Sequence, residues 1–426
     1  MKRIGLTLTL VSIGAVLLLV LLMTVDATAK EGDASRDYFK VGVITSLSGQ
    51  NVWGGNVTRR GYEMWSDAVN REGGIEVKGT KYRVHLIFAD AQSDPAVGAD
   101  AVTRMIHREG VDFILGPYSS SVTLATAPIV EKYKVPMITG SAESPKIWKE
   151  GFKYTFGAIP SVDLIGGSPI LTLAKDVKPK PKSIFILSLI DPFTEACGAE
   201  YKRQAEIAGI EVVGNEKVPD NTSDWTPLIT KAKRSGAEIF AMATHLEAAL
   251  GLMKTAKELD FNPKAYVQHA GMGYADFLGL GNDAEYVIGA TVWSPQIEYQ
   301  GDLPLFKSSA SFFEQYQQRY NRAVPEYTEA ACAATGIAFQ TVIAQLGLIP
   351  PLDEKEREAL MGGLEKLNIL TFYGPIKFAA SGDYFHDNSG LTSLTLQIQD
   401  GKHVIVGPGS LARVPPRYPT PPWNRR

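Results

Sequence analysis

The chain has 426 residues, 45% of them apolar and 21% charged, with a formal net charge of −3. This length allows two domains with a core each, and the balance is that of an ordinary globular protein in water. With no basic surplus or stripe, the composition excludes a nucleic-acid binder.

The N-terminal segment reads differently from the rest. Lys2 and Arg3 precede an almost uncharged apolar run from Ile4 to Val25, closed by Asp26-Ala27-Thr28-Ala29. A basic start, an apolar stretch and an A-x-A site describe a signal peptide over residues 1–29. The run is also long enough to serve as an uncleaved anchor, and both readings stay open. No cysteine lies near the cleavage site, so the expectation is an exported periplasmic protein that is not a lipoprotein.

From Phe39 onward strand and helix alternate. Lys40 to Thr45 (KVGVIT) is a β-branched strand, and Ser48-Gly49 leads into a glycine-bearing loop. A helix over 56–70 follows, with Gly61, Met64, Trp65, Ala68 and Val69 at inward-facing spacing, and Gly73-Gly74 ends it. Val84 to Ala89 is the next strand, and Asp94-Pro95 opens a helix as N-cap and first-turn proline. Strand 113–115, helix 122–133 and strand 135–139 continue the pattern. After a break at 158–182 it resumes with strands 183–189, 211–218, 238–243 and 265–269, separated by helices 194–207, 225–235 and 247–259.

Strands separated by helix-length connections cannot be hairpin partners. Both sets therefore belong to parallel sheets with right-handed crossovers. Two long helices, 304–320 and 327–346, come next, then β-rich stretches at 373–378 and 392–406. The proline-rich end, 413–426, is expected to be a linker or disordered. Cys197 and Cys332 show no disulfide framework and read as small buried hydrophobes in different halves.

Several segments, taken in order, resemble one family. They are Lys40-Val-Gly-Val-Ile-Thr-Ser-Leu-Ser-Gly49, Asn70-Arg-Glu-Gly-Gly-Ile75, Asp90-Ala-Gln-Ser-Asp-Pro95, Gly110 to Ser121, Val135-Pro-Met-Ile138 and Ser223-Asp-Trp-Thr-Pro-Leu-Ile229. Together they are similar to the leucine/isoleucine/valine-binding proteins, the substrate-binding subunits of ABC amino-acid importers. The resemblance implies the type I periplasmic binding fold, two doubly wound α/β lobes joined by three crossing segments near 158, 292 and 370. Lobe 1 is then 30–158 with 293–369, and lobe 2 is 159–292 with 370–412. The expected motion is hinge closure on a small-molecule ligand, and the expected partner is an ABC permease in the inner membrane.

In such folds ligands sit at the carboxyl ends of strands, where the strand order reverses. The loop Gly116-Pro117-Tyr118-Ser119-Ser120-Ser121 offers backbone N–H groups and hydroxyls at a helix start, a receptor for a carboxylate. A plain serine N-cap accounts for the same residues. By the resemblance, Ser120 stands where the family holds the ligand carboxylate, with Ser119 and Tyr118 beside it. Ser141 and Glu143 fall where the family touches ligand through a backbone carbonyl and a hydroxyl. Glu143 replaces the usual threonine or serine, and serves either as partner of a ligand ammonium or as a solvated first-turn acid. The family's acid for the ammonium aligns near His269-Ala270-Gly271, where no acid is present. Phe193, His245 and Trp53 fall at the family's aromatic positions, and each is equally compatible with an ordinary structural role.

An amino acid is the leading ligand, with an aromatic or other carboxylate, or a small amide, as the alternative. A protein that presents its ligand to a separate sensor is a further reading. Nucleophile elbow, zinc-protease, P-loop and dinucleotide motifs are missing, and the six histidines lack metal-ligand spacing, so neither catalysis nor a cofactor is expected.

Overall fold

Strands form where β-branched and aromatic residues run together between turn-forming residues. The computed structural model describes residues 36–301, 305–321 and 324–426, so the expected signal peptide lies outside the described residues. Tyr38–Thr45 (β1), Ile75–Val77 (β2), Thr80–Asp90 (β3), Phe113–Leu115 (β4), Met137–Thr139 (β5) and Thr155–Gly157 (β6) form one sheet. Its order is β2-β3-β1-β4-β5-β6. All pairings in it are parallel except the β2–β3 hairpin.

A second sheet takes Ser183–Leu189 (β7), Glu211–Val218 (β8), Ile239–Ala243 (β9), Ala265–Gln268 (β10) and Ile288–Thr291 (β11). An antiparallel ribbon near the C-terminus extends it. That ribbon follows a separate short pair, Asn368–Thr371 (β12) with Gly374–Lys377 (β13), and consists of Leu394–Gln399 (β14) and Lys402–Gly407 (β15). The order of the larger sheet is β15-β14-β11-β10-β9-β7-β8.

Each sheet is covered on both faces, which is why its inner parallel strands read as continuous apolar runs, unlike the edge strand β8, EVVGNEKV. β9, IFAMA, is buried at every position. Tyr62 and Trp65 from the helix Val52–Arg71 and Ile337 and Phe339 from the helix Tyr327–Leu346 cover one face of the six-stranded sheet. Met105, Val122 and Val130 cover the other. The seven-stranded sheet is packed by Leu252, Phe277 and Trp225 on one side and by Leu173, Cys197 and Tyr201 on the other. Cys332 belongs instead to the first sheet's core, and both cysteines are free. Burial pushes the Cys332 thiol up to about 12, which leaves it inert as a nucleophile.

Several expectations need correction. The first helix begins at Val52 rather than 56, so the glycines read as loop lie inside it. A Cβ on Gly55 would fall 1.7 Å from the Ser46 carbonyl oxygen, and the helix start can press against β1's exit only without one. The helix placed at 304–320 runs over Ser309–Tyr320, because the Ser308 hydroxyl accepts the Ser311 N–H and sets its start. The break at 158–182 holds two helices, Val162–Ile165 and Ser168–Lys175. Phe372, Tyr373, Ile376 and Phe378 remain in the first sheet's core, so the third passage between sheets lies at 379–393 rather than near 370.

The end of the chain is packed, not a loose linker. Gln397 and Gln399 side-chain amides donate to the carbonyls of Arg417 and Pro415 at 2.9 and 3.0 Å, and Trp423 Nε1 donates to Phe261 O at 2.8 Å. Prolines have no N–H to satisfy, so the glutamines reaching from β14 hold their segment chiefly by its carbonyls, with the Arg417 N–H donating back to Gln397 Oε1 at 2.7 Å.

Candidate functional site

The strand order reverses at β1 in the first sheet and at β7 in the second. Chains leaving the carboxyl ends of β1 and β4, and of β7 and β9, diverge there and open a crevice.

On the six-stranded side, β4 runs through Gly116-Pro117-Tyr118 into the helix Ser120–Tyr133. Ser119 is its N-cap, with Oγ accepting the Val122 N–H at 3.3 Å and meeting Ser121 Oγ at 3.2 Å. The N–H groups of Ser120 and Ser121 have no partner within a helix by its geometry. Ser120 Oγ accepts the Ser144 N–H at 3.1 Å, tying this loop to the one after β5. Thr139 braces both, donating to Pro117 O at 2.7 Å while accepting the N–H of Ser141 at 3.1 Å and of Ala142 at 3.0 Å. Ser141 Oγ lies 3.0 Å from Thr58 Oγ1. Tyr118 is seated by Gly54, where a Cβ would come within 1.9 Å of the ring.

On the seven-stranded side, Asp191 caps the helix Pro192–Ala208, its Oδ1 accepting from Phe193 N at 2.9 Å and Thr194 N at 3.1 Å. Its other oxygen lies 3.3 Å from His245 Nε2. Burial works to raise the Asp191 carboxyl, but His245 and the Thr194 bonds prevail and bring it down to about 2. Burial likewise opposes the charged form of His245, and Asp191 outweighs it and raises the imidazole. His245 Nδ1 reaches Tyr118 OH at 3.4 Å, across the crevice. The Phe193 ring centre is 5.5 Å from that of His245 and 5.9 Å from that of His269.

Glu143 is only 3% exposed. Its Oε1 accepts from Tyr327 OH at 2.9 Å, and its Oε2 lies 3.0 Å from His269 Nε2. The position noted for its missing acid thus carries a base, and the acid comes from the opposite sheet. This pairing is what allows a carboxylate to be buried there.

Tyr118, Ser119, Ser120, Ser141, Glu143, Phe193 and His245 line one cavity, together with Ala270, Tyr274, Tyr327 and Thr328. It measures about 20 Å³, room for roughly one water, so admitting a ligand requires its walls to part. Trp53 stands apart, packed beside the core of the seven-stranded sheet. Sequence reading missed His269, Tyr274, Tyr327 and Thr328 as lining or partner residues. Tyr327 and Thr328 follow a legible signal, the Glu326/Glu329 capping box, which marks a helix start without saying what that start faces. Among the described residues no His/Cys/Asp/Glu group could hold a metal, and no helix is long and apolar enough to cross a membrane.

A model of the periplasmic binding protein family matches residues 39–395. The chain belongs to that family. It is 25% identical over 392 residues to Leu/Ile/Val-binding protein homolog 8 of Brucella melitensis, covering 89% of this chain and 93% of that one. It is 28% identical over 260 residues to a leucine-, isoleucine-, valine-, threonine- and alanine-binding protein of Pseudomonas aeruginosa, covering 60% of this chain and 66% of that one. The fold is that of the type I periplasmic binding proteins. LivJ from Streptococcus pneumoniae, in complex with isoleucine, matches with a TM-score of 0.74 at 19% identity, over 87% of this chain and 100% of that one. A solute-binding protein from Rhodopseudomonas palustris, in complex with benzoate, also matches at 0.74, with 16% identity over 87% and 96%.

Proposed function

We propose that this periplasmic binding protein is the extracytoplasmic subunit of an ABC importer, and that its two halves close without catalysis on a small aromatic carboxylate. The lobes follow the two sheets, hinged at the passages near 158, near 292 and at 379–393. The observation that carries the ligand reading is the make-up of the cavity, a helix start with amides and hydroxyls on one side and rings on the other. Amides at Ser120 and Ser121 suit a carboxylate. Tyr118, Phe193, Tyr274 and Tyr327 suit a flat apolar body. Glu143 is already committed to His269 and Tyr327, so the site holds no unpaired anion for an α-ammonium. The benzoate complex of the Rhodopseudomonas protein supports this reading.

The names of the Brucella and Pseudomonas relatives favour a second reading, an α-amino acid whose ammonium takes His269's place beside Glu143. Thermal unfolding separates the two. At a ligand concentration one hundred times Kd, the bound form gains about 2.7 kcal/mol. Benzoate and 4-hydroxybenzoate should give that gain, leucine should not, and the ligand should be recovered unchanged. Ser120→Leu should remove the gain. A leucine response without a benzoate response establishes the second reading, and a full benzoate response in Ser120→Leu places the site elsewhere.

A further inference from the structure

Asp191, His245 and Tyr118 form a line across the crevice. Asp191 is fixed at the start of its helix, where Oδ1 accepts two backbone N–H groups and Oδ2 accepts the Thr194 hydroxyl at 2.6 Å. That second oxygen also lies 3.3 Å from His245 Nε2, and the other ring nitrogen, Nδ1, lies 3.4 Å from the Tyr118 hydroxyl. Tyr118 and His245 both line the inner cavity, together with Ser119 and Ser120.

A carboxylate beside Nε2 keeps a proton on that nitrogen whether the ring is neutral or charged. The state of His245 is therefore felt at Nδ1. In the neutral ring Nδ1 offers only a lone pair, and the Tyr118 O–H donates to it. In the charged ring Nδ1–H donates, the tyrosine oxygen accepts, and the hydroxyl proton turns away from the imidazole. One proton bound on the seven-stranded side frees one donor at the wall of the cavity.

We infer that Asp191 and His245 are positioning residues that set the direction of the Tyr118 hydroxyl, and that this hydroxyl donates to the ligand carboxylate only when His245 is charged. The inference rests on the carboxylate reading of the inner cavity, which benzoate and leucine satisfy alike. Anion and proton then favour each other's binding, so the ligand takes up protons as it binds. Asp191 holds His245 above its ordinary value, and affinity falls as pH rises through that raised value. Other ionisable groups face the pair: Glu247 and Asp220 act on His245, and Glu247, Glu326, Glu143 and Tyr274 act on Tyr118. An anionic ligand draws a proton to those acids too, but that uptake does not depend on the Tyr118 oxygen.

Calorimetry of the full chain with benzoate and with leucine, between about pH 6 and about pH 8.5 and in buffers of different ionisation heat, reads affinity and proton uptake together. Whichever compound binds should bind about tenfold more tightly at the lower pH, the return on one hydrogen bond to a charged group, with net proton uptake in between. Tyr118→Phe keeps the ring that lies against Gly54 and removes the switched donor, and His245→Gln removes the proton's site. Each should bring the affinity ratio to about one and abolish the uptake. Asp191→Asn should move the fall in affinity to lower pH, and a fall that stays in place overturns the part given to Asp191. An affinity independent of pH in the unaltered protein, or a ratio that survives Tyr118→Phe, overturns the inference and leaves the carboxylate reading standing. If neither compound binds, the carboxylate reading has failed and the inference falls with it.

Discussion

The two sides of the crevice use one local device, a strand running into a helix, and end in different chemistry. After β4 and β5 come Ser119, Ser120 and Ser141, short hydroxyls, of which the first two accept neighbouring backbone N–H groups and the third lies 3.0 Å from Thr58 Oγ1. After β7, β9 and β10 come Phe193, His245 and His269, large rings, and each imidazole lies against an acid. The first side can grip the anionic end of many ligands, because backbone amides do not depend on what lies beyond that end. The second side decides which body fits. Glu143 crosses this division, since it springs from the serine side and pairs with a ring on the other.

The comparison breaks hardest where the serine side is anchored. Tyr327 and Thr328 reach the cavity from a helix start held by Glu329, which is 2% exposed. Glu329 accepts from Arg60 Nε and Nη2 at 3.0 Å, from Glu326 N at 2.7 Å and from Tyr316 OH. Arg60→Met leaves that carboxylate without its cation and should cost about 3 kcal/mol in urea unfolding, the low end for a buried pair because Arg60 is partly exposed. A loss under about 1 kcal/mol would show that Tyr316 and the Glu326 amide suffice.

Gly54→Ala sharpens the comparison by moving one ring of the serine side. The added Cβ would sit 1.9 Å from Tyr118 Cζ, so the ring must move, and with it the hydroxyl that reaches His245 Nδ1 at 3.4 Å. Affinity for the aromatic acid should fall about tenfold, or 1.4 kcal/mol. An unchanged Kd would mean that Tyr118 is only a wall.

The smallest effect belongs to the ring side and is read in pH. His245 is raised in the folded protein, so the stability it contributes is complete below its unfolded value, near 6.5, and is lost as pH rises through the raised value. The melting temperature should therefore drift down across that window, and His245→Gln should flatten the drift. Asp191 behaves in the opposite sense. Its contribution is present above the ordinary aspartate value and disappears as pH falls toward about 2. A variant whose drift matches the parent's would remove His245 from the account.

Local chemistry was legible from the residues. Asp94-Pro95 starts a helix as read, and Cys197 and Cys332 are buried in separate cores, because caps and apolar runs depend on near neighbours. Tyr118, Ser119, Ser120, Ser141, Glu143, Phe193 and His245, grouped by the family resemblance rather than by spacing, line one cavity, since parallel sheets bring the carboxyl ends of their strands to one edge. Tertiary structure decided the rest. Gly54 and Gly55 read as loop until Tyr118 and the Ser46 carbonyl are seen against them. The proline-rich end looked unpackable until glutamines of β14 met its carbonyls. Glu143 meets His269 across 126 positions of sequence. Such a partner depends on how two independently built sheets face each other, and no spacing along the chain encodes that.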